Sequence, residues 1–145
     1  SRKLISYIPQ EPHLFTASLA DNVSLFQPVP RERIMQALRL SALESWVHRL
    51  PKGLDTCLGT DGISISNGQR HRLGLARAIL QNRPIVLLDE PTANVDASSA
   101  RAMVRAIENC RSEGATVVCA THDPALIRTL GAREIRLGRH WNEVN

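Results

Sequence analysis

Short apolar runs alternate with segments in which apolar residues recur at helical spacing, and this pattern predicts alternating strands and helices. Three of the runs are bounded by Pro or polar residues, as buried strands are, and they cover 4–8, 85–88 and 116–121. Ile135 and Leu137 predict a further short strand near the end of the chain. Strands that alternate with helices predict an α/β fold.

The second and third runs are joined by a predicted helix and form a βαβ unit. This helix follows Asp96, a suitable N-cap residue, and carries Met103 and Ile107 on its apolar face. Because such a crossover makes the two strands parallel, their carboxyl ends meet at one edge of the sheet. We therefore expect Asp89 and Glu90, at the end of one strand, to converge at this edge with His122, which follows the next strand.

The 145 residues have the length of one ordinary domain, which divides into two structural parts. Predicted helices fill most of residues 11–82, and we interpret this block as a mainly helical subdomain inserted between strands of one sheet. Residues 1–10 and 83–145 contain the predicted strands and form the parts of the α/β core.

A pair of carboxylates, Asp89 and Glu90, stands where the second strand ends. Adjacent carboxylates repel each other, and their burial is costly unless a cation or a proton-transfer task holds them there. A magnesium nucleotide would supply the cation, whereas the structural alternative is an acidic turn after a core strand. Side-chain alternation sends the two carboxylates in different directions, which fits two separate tasks.

A second candidate site precedes the predicted helix that ends near Gln81. It combines a hydroxyl, amides and a glycine at a helix start, in the order Ser66, Asn67, Gly68 and Gln69. The free backbone N–H groups of a helix start bind phosphate. The same residue types also cap helices, so both interpretations stay open.

Composition narrows the functional classes. Hydrophobic residues make up 43% and charged residues 22%, and no apolar run reaches the roughly 20 residues that span a bilayer. The net charge of +4 is dispersed among acidic neighbours, which argues against a nucleic-acid surface. Arg70, Arg72 and Arg77 form the one basic group, which we interpret as a solvated helix face. The three cysteines lack metal-site spacing and favour reduced cytosolic thiols.

Several motifs occur in the order and approximate spacing of a known family. They are Ile65-Ser66-Asn67-Gly68-Gln69-Arg70, Leu75-Ala76-Arg77-Ala78, the strand that ends in Asp89 and Glu90, Pro91-Thr92, Asp96 and Thr121-His122-Asp123. Over nearly its whole length the chain resembles the nucleotide-binding domain, or ATP-binding cassette, of ABC transporters. The resemblance implies a P-loop NTPase-like parallel sheet, ATP and Mg²⁺ as cofactors, and an ATPase whose hydrolysis is coupled to transport across a membrane.

Other segments look most like the exporter-type cassettes. They are Tyr7-Ile8-Pro9-Gln10, Leu14-Phe15, Asp21-Asn22-Val23 and Leu50-Pro51-Lys52-Gly53. Asp123 is less exporter-like, since Arg often takes its place there. The resemblance implies export, a transmembrane domain or subunit as partner, and a second nucleotide-binding domain in a homo- or heterodimer. It also implies a location at the cytoplasmic face of a membrane, reached only through the partner.

The resemblance implies roles for the residues at the strand ends. Asp89 would hold magnesium through water, Glu90 would polarise the attacking water, and His122 would contact the γ-phosphate. Gln10 would link magnesium and the attacking water to the membrane domains, and so serve as both a nucleotide-binding and a metal-binding residue.

A further set of residues would serve the nucleotide of the partner domain. Ser66, Asn67, Gly68 and Gln69 would form the signature motif, which caps the γ-phosphate of a nucleotide held by the partner. Asp96 would belong to the loop that crosses to the partner. Asn67 departs from the family, which usually has Gly there, but Asn tolerates left-handed backbone geometry and its amide can bond phosphate.

The Gly-rich phosphate loop of the family, GxxxxGK followed by Ser or Thr, does not occur in the 145 residues. We therefore interpret the chain as the C-terminal portion of the domain, without its first strands and phosphate loop, and expect it to be inactive alone. The missing loop and Asn67 leave an alternative, a non-hydrolytic cassette remnant that acts as a regulatory or structural dimerisation module. Cassette ATPases that lack membrane domains are disfavoured by the exporter-like segments around Gln10 and Leu50.

Overall fold

The computed structural model describes residues 4–137. Its elements, in chain order, are β1 (Ile5–Ile8), β2 (Ala17–Ser18), α1 (Leu19–Ser24), α2 (Arg31–Leu40), α3 (Glu44–Arg49), β3 (Cys57–Leu58), α4 (Asn67–Gln81), β4 (Ile85–Asp89), α5 (Ala97–Ser112), β5 (Thr116–Ala120) and α6 (Pro124–Leu130). A 3-10 turn, Gly53–Asp55, precedes β3. The predicted α/β fold, with the three apolar runs as strands, is confirmed.

The sheet has three parallel strands in the order β1-β4-β5. Ile85 of β4 pairs with Ile5 on one side and with Thr116 on the other, and Asp89 pairs with Ala120. The helical block connects β1 to β4, and α5 is the crossover from β4 to β5. All three strands therefore end at the same edge, as parallel pairing requires.

Side-chain caps begin several of the helices, among them the predicted cap Asp96. Ser18 accepts the backbone N–H of Asp21 at the start of α1, and Asp96 accepts that of Ser99 at the start of α5. Asp123 caps α6, which begins with Pro124 at its first turn. Each cap satisfies a donor that the helix itself leaves free.

The predicted strand at Ile135 and Leu137 is wrong, because residues 132–137 form no regular structure. Both side chains are exposed, at 73% and 88%. Two alternating apolar residues form a strand only when a neighbouring strand accepts their backbone hydrogen bonds. In the described part of the chain, no strand pairs with them beyond β5. Residues 138–145 of the predicted core lie outside the described residues.

Helix α4 lies between two hydrophobic clusters. Toward the helical block it contributes Leu73 and Ala76, which pack with residues of α1, α2 and the segment after them. Toward the sheet it contributes Leu75 and Ala78, which pack with residues of β1, β4 and α5. All four side chains are almost fully buried. Helix α4 thus contributes side chains to both hydrophobic clusters.

The two faces of the sheet differ in burial. Val86 and Leu88 face α4 and α5 and are buried, whereas Ile5, Tyr7 and Val118 on the other face are about half exposed. This follows from the alternation of side chains along each strand. No helix among residues 4–137 has both the length and the apolar character that crossing a bilayer requires.

Loss of the buried Met103 side chain should destabilise the fold. Met103 lies in the cluster between α5 and the sheet and is 1% exposed. We expect Met103→Ala to lower the free energy of unfolding by about 2–5 kcal/mol, because truncation leaves a cavity in a close-packed core. Chemical denaturation measures the change.

Glu108→Ala is the matched control, because Glu108 is an exposed residue of the same helix. Its effect should stay within about 0.5 kcal/mol. Equal losses in the two variants would contradict the assignment of this helix face to the core.

Candidate functional site

Glu90 lies directly after β4 in an unusual backbone conformation. Its φ of 46° is in the left-handed region, which non-glycine residues rarely adopt. Its backbone N–H donates to the carbonyl of Ala120 at 2.8 Å, which continues the ladder between β4 and β5. The backbone therefore turns at Glu90 while it remains attached to the neighbouring strand.

The Glu90 carboxylate is held by the residues that follow β5. Oε1 accepts the backbone N–H of His122 at 3.1 Å, and Oε2 lies 3.4 Å from the hydroxyl of Thr121. The Nε2 atom of His122 is 3.7 Å from Oε1, and the imidazole is fully exposed while Glu90 is 22% exposed. The predicted meeting of Glu90 and His122 at one sheet edge is confirmed.

Asp89 has a different partner from Glu90. As the last residue of β4 it shares the exposed sheet face with Tyr7, whose hydroxyl donates to Oδ2 at 3.1 Å. This hydrogen bond to a carboxylate raises the pKa of Tyr7 above its usual value of 10.0. The two carboxylates thus have separate environments, as the alternation predicts. Tyr7 was not among the predicted site residues, although strand alternation places it on the face of Asp89.

The residues at this edge suit a magnesium ion by their donor atoms. Asp89 and Gln10 offer carboxylate and amide oxygens, which Mg²⁺ prefers over nitrogen or sulfur. Residues 4–137 contain no group of three or more His, Cys, Asp or Glu side chains arranged to hold a metal. In nucleotide sites, Mg²⁺ is held by one or two protein oxygens together with phosphate and water.

A hydrogen bond connects the segments that follow β4 and β5. The hydroxyl of Thr92 donates to Oδ2 of Asp123 at 2.7 Å, and Oδ1 of Asp123 accepts the N–H of Ala125. These bonds stabilise the ionised carboxyl group and hold the pKa of Asp123 below its usual 3.8. The bond from Thr92 has the largest effect. The loop after Glu90 and the loop after His122 are therefore tied together at a second point.

The second candidate site forms a capping box at the start of α4. The Ser66 hydroxyl accepts the N–H of Gln69 at 3.1 Å, and the Gln69 side chain accepts the N–H of Ser66 at 2.9 Å. The structure therefore shows the capping role for both side chains. The Ser66 hydroxyl accepts in this box, so its own proton remains able to donate.

Close packing joins the start of α4 to the start of α5. Gly68 is buried, and a Cβ atom there would lie 2.6 Å from both Cβ and Oγ of Ser99. The side chain of Asn67 lies 3.5 Å from the carbonyl oxygen of Asn94. Asp96 caps α5, and the N–H of Ser99 holds the pKa of its carboxyl below 3.8. The structure thus brings Ser66 to Gln69 together with the loop of Asp96.

The interpretation of the arginines as a solvated helix face is wrong for Arg72 and Arg77. Arg72 donates to the carbonyl of Ala42 at 2.6 Å, and burial lowers its pKa. Arg77 donates to the carbonyl of Asn22 at 2.6 Å, and burial lowers its pKa to about 10. Both side chains connect α4 to other parts of the helical block, which the apolar periodicity of α4 alone does not reveal.

Gln10 is held through its backbone. Its carbonyl oxygen accepts a hydrogen bond from the ring of His71, which lies in the second turn of α4. The site residues therefore fall into two groups, the edge with Asp89, Glu90 and His122 and the surface around Ser66 to Gln69 and Asp96. Their functional roles stay predictions.

The fold and the strand-end carboxylates define the class, an α/β protein of the P-loop NTPase type. A family model described as ABC transporter matches residues 1–93. The chain therefore belongs to the ABC transporter family, as part of an ATP-binding domain. A second model, described as an AAA domain, putative AbiEii toxin of a type IV toxin–antitoxin system, matches residues 62–128.

Curated relatives and a solved structure support this assignment. The chain is 36% identical over 129 residues to the type I secretion system ATP-binding protein PrsD of Rhizobium meliloti, covering 88% of the chain and 22% of that protein. It is 36% identical over 121 residues to an ATP-dependent lipid A-core flippase of Shewanella sp. (strain MR-4). This match covers 82% of the chain and 20% of the flippase.

The structure resembles that of a bacterial Atm1-family ABC exporter with ATP bound. The TM-score is 0.74 at 25% identity, and the match covers 86% of this chain and 22% of the exporter chain. The chain thus spans about a fifth of the length of these relatives.

Removal of the Thr92 hydroxyl should change the titration of Asp123. We expect Thr92→Val to raise the pKa of Asp123 toward 3.8, because the largest stabilisation of its carboxylate is lost. A carboxyl group whose pKa is lower in the folded than in the unfolded protein stabilises the fold at pH values above its unfolded pKa. This contribution disappears as the pH falls through the folded pKa. The stability difference between variant and parent should therefore vanish in acid.

Carbon-13 NMR of the carboxyl groups measures these titrations. Asp96 is the internal control, because its pKa is lowered by Ser99 and not by Thr92. An unchanged Asp123 titration in Thr92→Val would show that the hydrogen bond does not form in solution.

The contact between Gly68 and Ser99 predicts a second-site rescue. We expect Gly68→Ala to destabilise the protein by about 1–3 kcal/mol, because the new methyl group overlaps the Ser99 side chain. Ser99→Gly removes both overlapping atoms and should restore most of the loss in the double variant. Thermal or chemical unfolding of the four proteins measures the coupling.

Ser98→Gly is the matched control, since Ser98 is the exposed neighbour in the same helical turn. It carries the same helix-propensity penalty but removes no atom that Gly68 approaches. Equal rescue by Ser98→Gly would contradict direct packing of the two helix starts.

Proposed function

We propose that the complete protein is a magnesium-dependent ATPase that couples ATP hydrolysis to export across a membrane. The observation that carries the proposal is the Glu90 carboxylate, which accepts the His122 N–H at 3.1 Å directly after Asp89, the last residue of β4. The relatives described as a secretion ATP-binding protein, a flippase and an ABC exporter support the direction of transport.

In this proposal Glu90 orients the attacking water and takes its proton. Phosphoryl transfer to water depends on positioning and charge stabilisation more than on covalent assistance. Within residues 4–137, the Glu90 oxygens accept hydrogen bonds only from Thr121 and His122, and each carboxylate oxygen keeps further acceptor capacity for a water. The left-handed backbone at Glu90 and its bond to Ala120 fix the direction of this side chain.

The neighbouring residues divide the remaining tasks. Asp89 would hold magnesium through water, and Gln10 would link the ion and the attacking water to the membrane domains; when bound, the ion would neutralise charge on the phosphates. His122, whose ring is fully exposed, contacts the γ-phosphate. The backbone contact between His122 and Glu90 keeps this imidazole next to the carboxylate that acts on the water.

The second group of residues serves a paired nucleotide-binding domain. Ser66, Asn67, Gly68 and Gln69 cap the γ-phosphate of the partner's nucleotide, to which the segment offers the Ser66 hydroxyl proton and the helix N–H groups of Asn67 and Gly68, outside the capping box. The loop of Asp96 lies against the same helix start through Ser99 and crosses to the partner. Residues 11–82 act as the helical subdomain, and residues 1–10 and 83–145 belong to the ATPase core.

A transmembrane domain or subunit places this assembly at the cytoplasmic face of the membrane. The chain alone is inactive under this proposal, because it contains no GxxxxGK loop to hold the phosphates. The location at the membrane refers to the complete protein, of which the relatives suggest that this chain forms about a fifth.

Glu90→Gln tests the proposal in the complete protein. Glutamine keeps the size and one acceptor oxygen of Glu90 but cannot take a proton, so we expect ATP turnover to fall about 10²- to 10⁴-fold. Binding of labelled ATP should persist, because the phosphate contacts are unchanged. Phosphate release and equilibrium binding measure the two quantities.

Glu113→Gln is the matched control, since Glu113 is an exposed residue at the end of α5. Its turnover should equal that of the parent. Undiminished hydrolysis in Glu90→Gln would exclude Glu90 from the reaction, and absence of hydrolysis in the parent would refute the ATPase function itself.

A further inference from the structure

His71 is a buried polar residue to which the sequence analysis assigns no role. It lies in α4, is 4% exposed, and contacts the backbone carbonyl oxygen of Gln10 through Nε2. A carbonyl oxygen only accepts hydrogen bonds, so the contact requires the tautomer with the proton on Nε2. The other ring nitrogen, Nδ1, is buried and has no hydrogen-bond partner among the described residues.

A second contact holds the same segment against α4. A Cβ atom at Gly74 would lie 2.7 Å from the side chain of Ile8 and 3.0 Å from that of Pro12. Only glycine allows this close approach of the helix. Gly74 stands about one helical turn after His71, so α4 touches the chain before, at and after Gln10.

The contacts of the His71 ring are better suited to holding Gln10 in place than to stabilising the fold. A buried nitrogen without a hydrogen-bond partner destabilises the folded state, so an apolar side chain of similar size would serve the core at least as well. Gln10 itself is exposed, and its carbonyl would find water if the ring were absent. The specific consequence of the His71 ring is therefore the position of Gln10.

We propose that His71 is a positioning residue that fixes Gln10 to the helix bearing the signature segment Ser66 to Gln69. The inference rests on the proposed function, in which Gln10 serves the nucleotide of this domain and Ser66 to Gln69 serve that of the partner. His71 lies in the second turn of α4, directly behind the capping box. A displacement of Gln10 is therefore transmitted to the signature segment, and the two nucleotide sites are coupled through this helix.

Three variants of the complete protein test the inference. His71→Leu keeps an apolar volume but removes the donor, and His71→Gln restores an N–H donor on a side chain of similar reach. Ser41→Ala is the control, since Ser41 is another buried polar residue, bonded to Leu38 in the helical block. ATP turnover, ATP affinity, thermal unfolding and amide hydrogen exchange are measured for each.

We expect kcat of His71→Leu to fall about tenfold or more, because small misplacements of catalytic groups reduce rates steeply. The KM for ATP should change little, and His71→Gln should recover turnover to within about twofold of the parent. Thermal midpoints should agree within about 2 °C. Ser41→Ala should keep the turnover of the parent.

Hydrogen exchange separates this inference from the ATPase proposal, because it does not require hydrolysis. The backbone N–H of Phe15, the first hydrogen-bonded amide after Gln10, donates to the Asn22 side chain and should exchange about fivefold faster or more in His71→Leu, and at the parent rate in His71→Gln and Ser41→Ala. Parent-like turnover and exchange in His71→Leu would overturn the inference. A loss that His71→Gln does not rescue would also overturn it, since packing would then be the cause. Absence of hydrolysis in the parent, with the exchange pattern intact, would refute the ATPase function and retain the attachment of Gln10.

Discussion

The structure depends on helix α4, which is buried on one side against the helical block and on the other side against the sheet. Leu73 and Ala76 pack into the helical block, while Leu75 and Ala78 pack against the sheet, and none of the four can move without opening a cavity in one cluster. The direction of this helix is therefore fixed by both halves of the core at once. The first turn of α4, which contains Asn67, Gly68 and Gln69, is therefore held in a fixed position as well.

Parallel pairing of β4 and β5 creates the other half of the site. Glu90 and His122 are more than 30 residues apart in the chain, yet their side chains approach to 3.7 Å because the two strands end in register. Side-chain alternation then places Asp89 on the opposite face, next to Tyr7. A carboxylate bound to a hydroxyl and a carboxylate bound to a backbone N–H are chemically different groups, although they are neighbours in sequence.

Features that depend on local chemistry were predictable from the sequence, whereas contacts between distant segments were not. The cap Asp96 and the common strand edge followed from residue type and spacing. Arg77 was misjudged, because apolar periodicity identifies one face of a helix but not the segments that cover its polar face. The strand expected at Ile135 failed for a related reason, since a strand requires a partner that a single segment cannot reveal.

The backbone at Glu90 shows how the edge is stabilised. A left-handed conformation costs a residue with a side chain on the order of 1–3 kcal/mol. Two bonds to the neighbouring strand and its extension offset this strain, one from the Glu90 N–H to Ala120 and one from the His122 N–H to the Glu90 carboxylate. Since both bonds cross to β5, the carboxylate keeps its orientation only while β4 and β5 remain paired. The direction of the acidic side chain is thus a property of the sheet rather than of the loop that contains it.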